Sequence, residues 1–119
     1  MGPEKKLWQE LKRKTPQIKW TRSENTSSLG TPDVLGYNSS GKFFTVELKV
    51  TRSNKVQFSP HQIAFHVRHP KNTYILVKSL VQSDLKLFEG SQIKQLVACG
   101  FKLEACSLGL ESIIRTLET

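Results

Sequence analysis

The stretch from Thr31 to Val50 constrains this chain more than any other part of it. Residues 42–50, KFFTVELKV, alternate from face to face of a strand. Phe44, Val46, Leu48 and Val50 fall on one side, and Phe43, Thr45, Glu47 and Lys49 on the other. Upstream, TPDVLGY at 31–37 reads as a second strand, with Pro32 at its start, where a missing N–H donor is tolerated. The cluster Asn38-Ser39-Ser40-Gly41 between them is a turn. A three-residue loop with Gly41 in the left-handed region pairs Asn38 with Lys42. Counting back along both strands then brings Asp33 directly opposite Glu47, with Cβ atoms about 4.5–5.5 Å apart. Like charges so placed destabilise a sheet, and a divalent cation offsets that repulsion directly. Lys49 shares their face.

Two carboxylates and an amine on one surface suit phosphodiester hydrolysis. Asp33 and Glu47 are hard oxygen ligands of the kind Mg²⁺ takes. Such a metal polarises a phosphate and lowers the pKa of a bound water. Lys49 is placed to orient that water or to stabilise transition-state charge. Spacing alone also permits a solvated hairpin face on which Glu47 and Lys49 form a surface ion pair.

Charge points to a polyanionic partner. The net charge is +8, and residues 1–70 hold twelve Lys and Arg against five Asp and Glu, while residues 71–119 are nearly balanced. Lys42, Arg52, Lys55 and Arg68 surround the hairpin and the loop after it. With His61 they are candidate phosphate contacts, which position DNA without reading its sequence. His61, His66 and His69 crowd one helix but lack an evident fourth zinc ligand.

The remaining elements follow from periodicity. Residues 4–14 read as a helix, with Leu7, Trp8 and Leu11 inward and Pro16 ending it. Residues 17–22 alternate as a strand with Ile18 and Trp20 inward, and 23–30 form a Ser-rich loop. A helix opens at Ser59-Pro60-His61-Gln62, where Ser59 is the N-cap and Gln62 completes a capping box. Residues 73–80 carry a near-continuous apolar run that fits a strand buried on both faces. Two short helices, 91–98 and 108–118, flank a Gly100–Leu103 segment read as a short strand. The order helix–strand–strand–strand–helix–strand predicts an α/β fold with a central mixed sheet and a C-terminal helical tail. A chain of 119 residues is one domain's worth, 1–119, with a core at 4–80 and the tail at 91–118. Cys99 and Cys106 are too few for a disulfide framework, and no apolar run is long enough for a membrane span or a signal peptide. A cytoplasmic protein is expected, in the host cytoplasm if it is phage-encoded.

Gly30-Thr31-Pro32-Asp33, followed by Glu47-Leu48-Lys49 after a hairpin, resembles the active-site signature of the PD-(D/E)XK nuclease superfamily. With Ser59-Pro60-His61-Gln62 opening the next helix, it is most similar to the small VRR-NUC nucleases and the archaeal and phage Holliday-junction resolvases. The resemblance covers residues 4–80 and implies a restriction-endonuclease-like core. It also implies Asp33 and Glu47 as metal ligands and Lys49 as the catalytic lysine; Leu48 fills the variable position, its side chain facing the core and its backbone carbonyl able to serve as a ligand. Many relatives add an acid from the first helix, for which Glu10 is the candidate and Glu24 the competitor. Gln62 matches a glutamine near the site in relatives. The expected activity is that of a Mg²⁺-dependent endodeoxyribonuclease, with Mn²⁺ as a substitute, selective for branched DNA. A sequence-specific or homing-type endonuclease and a non-cleaving nucleic-acid-binding module are the alternatives. No small-molecule cofactor and no membrane partner are expected. Cutting two strands calls for two active sites, so a homodimer is expected, with the tail as its surface through Ile93, Leu96, Val97, Leu110, Ile113, Ile114 and Leu117.

Overall fold

The computed structural model describes residues 2–22 and 30–119. Six strands form one mixed sheet in chain order: β1 (Lys19–Arg22), β2 (Val34–Tyr37), β3 (Phe43–Thr51), β4 (Thr73–Ser79), β5 (Leu85–Glu89) and β6 (Ser107–Leu108). Only β3 and β4 run parallel, because the helix α2 (Pro60–Arg68) carries the chain back between them. The helices α1 (Pro3–Lys14) and α4 (Leu110–Glu118) cover one face, and α2 and α3 (Ile93–Cys99) the other. This is the α/β core expected, consistent with a restriction-endonuclease-like fold.

The hairpin has the expected register. Val34 pairs with Val46 and Tyr37 with Phe43, and Asn38 N–H donates to the Lys42 carbonyl at 3.1 Å. Gly41 sits at φ 81°, in the left-handed region that glycine adopts without strain. The Asn38 side chain finishes the turn, accepting from Ser40 and Lys42 N–H, and its amide donates to the Leu117 carbonyl at 3.0 Å.

The alternation of β3 sorts its two faces chemically. Phe44, Val46 and Leu48 pack beneath α1 and α4 with Leu7, Leu11, Ile113 and Leu117. Thr45, Glu47 and Lys49 lie beneath α2 instead. The middle of β4 is buried on both sides, as its apolar run requires, and Ile75 and Val77 join Phe88, Leu96 and Phe101 in a second cluster.

Two expectations change. Leu85–Glu89 is a strand although only its short Leu-Lys-Leu alternation signals it. Gly100–Lys102 is a single 3₁₀ turn, and the short edge strand lies later, at Ser107–Leu108. The tail is also not a free surface. Ile93, Leu96, Ile113 and Leu117 are at most 1% exposed and belong to the chain's own core, which leaves Val97 as the exposed apolar residue among those expected to pair. Among the described residues no helix is long and apolar enough to cross a membrane.

Candidate active site

The site forms where β2 stops short of β3. Their ladder ends at Val34–Val46, so beyond it Leu48 has no β2 backbone to pair with. Asp33 fills the gap with its side chain, its Oδ2 accepting Leu48 N–H at 2.7 Å. The register continued would set Pro32 against Leu48, and proline has no N–H to offer. A strand residue turns its N–H and C=O to the same neighbour. The Leu48 carbonyl therefore faces the Asp33 side with no β2 donor to accept. Gly30 makes the approach possible, because its backbone packs against the His61 carbonyl in the first turn of α2, where a side chain would collide.

Asp33 and Glu47 occupy the closer, non-hydrogen-bonded kind of antiparallel position. Glu47 is 2% exposed, which excludes the solvated ion-pair face that spacing alone allowed. Burial, then the Asp33 charge and a hydrogen bond to the Asp33 carboxyl, push its pKa up to about 9, although Lys49 pulls the other way. Burial beside Asp33 thus favours the protonated form of Glu47. Its Oε2 accepts from Gln62 Nε2 at 3.2 Å, whereas its Oε1 is buried without a partner. A buried oxygen left so is costly.

Gln62 ties the site to the helix above it. Its Oε1 accepts from Lys49 Nζ at 3.0 Å and from Ser59 N–H at 2.9 Å, while its own N–H donates to Ser59 Oγ at 3.1 Å. The expected capping box and the expected site residue are one side chain. Lys49 therefore bonds Gln62, and its ammonium also lies 4.8 Å from the centre of the Phe58 ring.

The structure brings Asp33, Glu47, Lys49 and Gln62 together, but not Glu10. The acid of the first helix whose charge reaches Glu47 is Glu4. The Glu4 carboxyl is pushed up by partial burial and by Asp33, and lowered by Lys49, so it shares their field. Glu10 stands six residues, about 9 Å, further along α1. Glu24 lies outside the described residues. Lys42, Arg52, Lys55, His61 and Arg68 are all exposed. Arg52 and Lys55 line a groove that also contains Lys49 and Glu4. Arg68, at the C-terminal end of α2, sits toward the hairpin-turn end of this face, whereas Lys42 alternates to the face covered by α4, as does its pair partner Asn38. His66 is buried with neither ring nitrogen partnered, and burial lowers its pKa to about 4, so it is neutral.

Among the described residues no three His, Cys, Asp or Glu side chains are grouped as a ready-made metal cluster. The oxygens that are present still fit a hard divalent cation: two adjoining carboxyls, one with an unpartnered oxygen, and the turned-in Leu48 carbonyl.

This fold, with an acid at the end of one strand facing Glu-x-Lys on the next, defines a nuclease of the PD-(D/E)XK type. Residues 4–119 match the archaeal Holliday junction resolvase (Hjc) family, and the chain belongs to it. It is therefore an endonuclease by family, with DNA as its partner. No curated protein matches the chain.

The shifted pKa values have a consequence for stability. Glu47 is raised in the fold, so its contribution is complete below the unfolded value near 4.5 and is lost as pH rises toward about 9. His66 is lowered, so its penalty acts only below 6.5. Between pH 6.5 and 9 the metal-free protein should lose melting temperature, and Glu47→Gln should flatten that decline. Thermal melts in chelator across this window check it; a wild-type melting temperature that holds or rises contradicts it.

Proposed function

We propose that the chain is one nuclease domain that cuts four-way DNA junctions inside the cell, using Mg²⁺ held by Asp33, Glu47 and the Leu48 carbonyl. The observation that carries this is the buried Glu47 carboxyl, set opposite Asp33 at the end of the β2–β3 ladder and keeping one oxygen unpartnered. Mg²⁺ bound there would polarise the scissile phosphate and acidify the attacking water. Glu47 must give up its proton to serve as a ligand, so loading releases a proton and strengthens as pH rises. Gln62 holds Glu47 and Lys49 in fixed relation through its two amide atoms. Lys49 directs its ammonium at the reacting phosphate and stabilises charge there. Glu4 is the first-helix acid that acts on this site, through its charge, where the resemblance pointed to Glu10 as the added acid. Arg52 and Lys55 at one end of the face and Arg68 at the other hold the arms of a branched substrate by their phosphates.

Cleavage of a labelled four-way junction, beside duplex, flap and fork, tests this. Wild type should cut the junction in Mg²⁺ or Mn²⁺ and stop in chelator. Lys49→Ala should lose turnover by about a hundredfold or more with little change in DNA affinity, because its role lies in the transition state. Junction binding without any cutting in Mg²⁺ would leave a DNA-binding module and overturn the proposal, as would cutting that survives full chelation.

We further propose that two copies act together, since paired strands need paired sites. Most of the tail's apolar stripe is committed to its own core, and Leu35, Tyr37 and Phe43 form an exposed apolar patch across β2 and β3, with Phe43 59% exposed. The rings of Tyr37 and Phe43 pack 4.4 Å apart on the sheet face that holds Glu47. Sedimentation should find twice the chain mass for wild type and the single-chain mass for Phe43→Asp. A single-chain wild type contradicts the pairing.

A further inference from the structure

The loop between β3 and α2 carries Arg52 and Lys55, and it is held far more firmly than an exposed basic loop needs to be. The Thr51 hydroxyl lies 2.9 Å from the Ser53 carbonyl and 2.6 Å from the Lys55 carbonyl, and it accepts Ser53 N–H at 3.1 Å. Val56 then buries itself in the cluster of Ile93, Leu96 and Phe101. Between these anchors stands Asn54, whose backbone and side chain both reach across to the tail. Its Nδ2 donates to the Cys99 carbonyl at 2.8 Å, and its Oδ1 accepts Lys102 N–H at 2.8 Å. Its own carbonyl accepts Phe101 N–H at 2.6 Å. Gly100 lies directly against Asn54, with no room for a side chain between them.

Asn54 touches no residue of the carboxylate site. What it fixes is the wall of a groove of about 390 Å³ lined by Glu4, Lys49, Thr51, Arg52, Lys55 and Gln57. Lys49 lines this groove together with two exposed cations, Arg52 and Lys55. A phosphodiester backbone running past the cleaved bond is the ligand class that this arrangement of charge suits. A rim ordered beforehand does not lose loop entropy when DNA binds.

We infer that Asn54 is a positioning residue, which braces the basic loop against the C-terminal tail so that Arg52 and Lys55 form the preformed wall of a DNA-backbone subsite beside the active site. This rests on the nuclease reading above. It also gives the tail a task that its buried side chains do not reveal: the turn after α3 is the abutment of the DNA groove.

The test is binding of a labelled four-way DNA junction in Ca²⁺ over a range of salt concentrations, with cleavage in Mg²⁺ measured beside it. Each phosphate contact contributes about 0.9 to the log–log salt slope on duplex DNA. Asn54→Ala should flatten the slope by up to about 1.8, two contacts' worth, and raise KM, while kcat at saturating junction stays within about twofold. The double variant Arg52→Ala/Lys55→Ala should show the same flattening, and adding Asn54→Ala to it should change the slope little, because all three act through one wall. If Asn54→Ala does not fold, Asn54→Ser, which is neutral and too short to span Cys99 and Lys102, removes the brace without adding charge and should show the same flattening. An unchanged slope in the folded Asn54 variant, or a full further loss on top of the double variant, overturns the inference while leaving the nuclease reading intact. A wild type that neither binds nor cuts DNA overturns both.

Discussion

A carboxyl that is buried beside another carboxyl is the constraint on which this structure turns. Burial and the Asp33 charge both oppose ionisation of Glu47, and Lys49 offsets them only in part, so a second cation has a place there. The surrounding polar groups are arranged about that fact. Leu48 N–H is given to Asp33, the Gln62 amide reaches Glu47 and Lys49 together, and one Glu47 oxygen is left unpartnered. The stability given up at that oxygen is recovered in the clusters on either side of the sheet, where β3 presents Phe44, Val46 and Leu48 and β4 presents Ile75 and Val77.

Much of this was legible because strand chemistry is local. The β3 alternation and the Asn-Ser-Ser-Gly turn determine register, and register alone brings Asp33 to Glu47. Ser59 and Gln62 announce the start of α2, and the cap geometry then carries Gln62 to the site. The strand at Leu85–Glu89 is harder to read. It has five residues and one alternation, and its place is secured by pairing with β4 and β6, which no local pattern reveals.

The sequence points to Glu10, with Glu24 as competitor, and the structure brings Glu4 to the site instead for a reason of topology. The chain leaves α1 and enters β1 at Lys19, which pairs with Tyr37 near the hairpin turn. The C-terminal end of α1 therefore lies toward the turn and its N-terminal end toward Asp33, where Glu4 is. The helix periodicity gives no hint of this, but the hairpin register, combined with the order of elements, does. The tail misled differently. Its apolar stripes are real, and they face Leu7, Leu11 and Leu87 of the same chain for α4, and Val56, Ile75 and Phe88 for α3. A stripe read from sequence says that something covers it, not what.

The central claim is that the buried carboxylate pair is a divalent-cation site. Thermal melts with and without Mg²⁺, on wild type and Asp33→Asn, address it without any substrate. An asparagine oxygen can keep the Leu48 bond while one carboxylate is lost, so the metal-free variant should be at least as stable as wild type. Wild type should gain about 2.7 kcal/mol of stability at a Mg²⁺ concentration near a hundred times its Kd, and the variant much less. A variant clearly less stable without metal, or one that gains as much from Mg²⁺ as wild type does, would contradict the account.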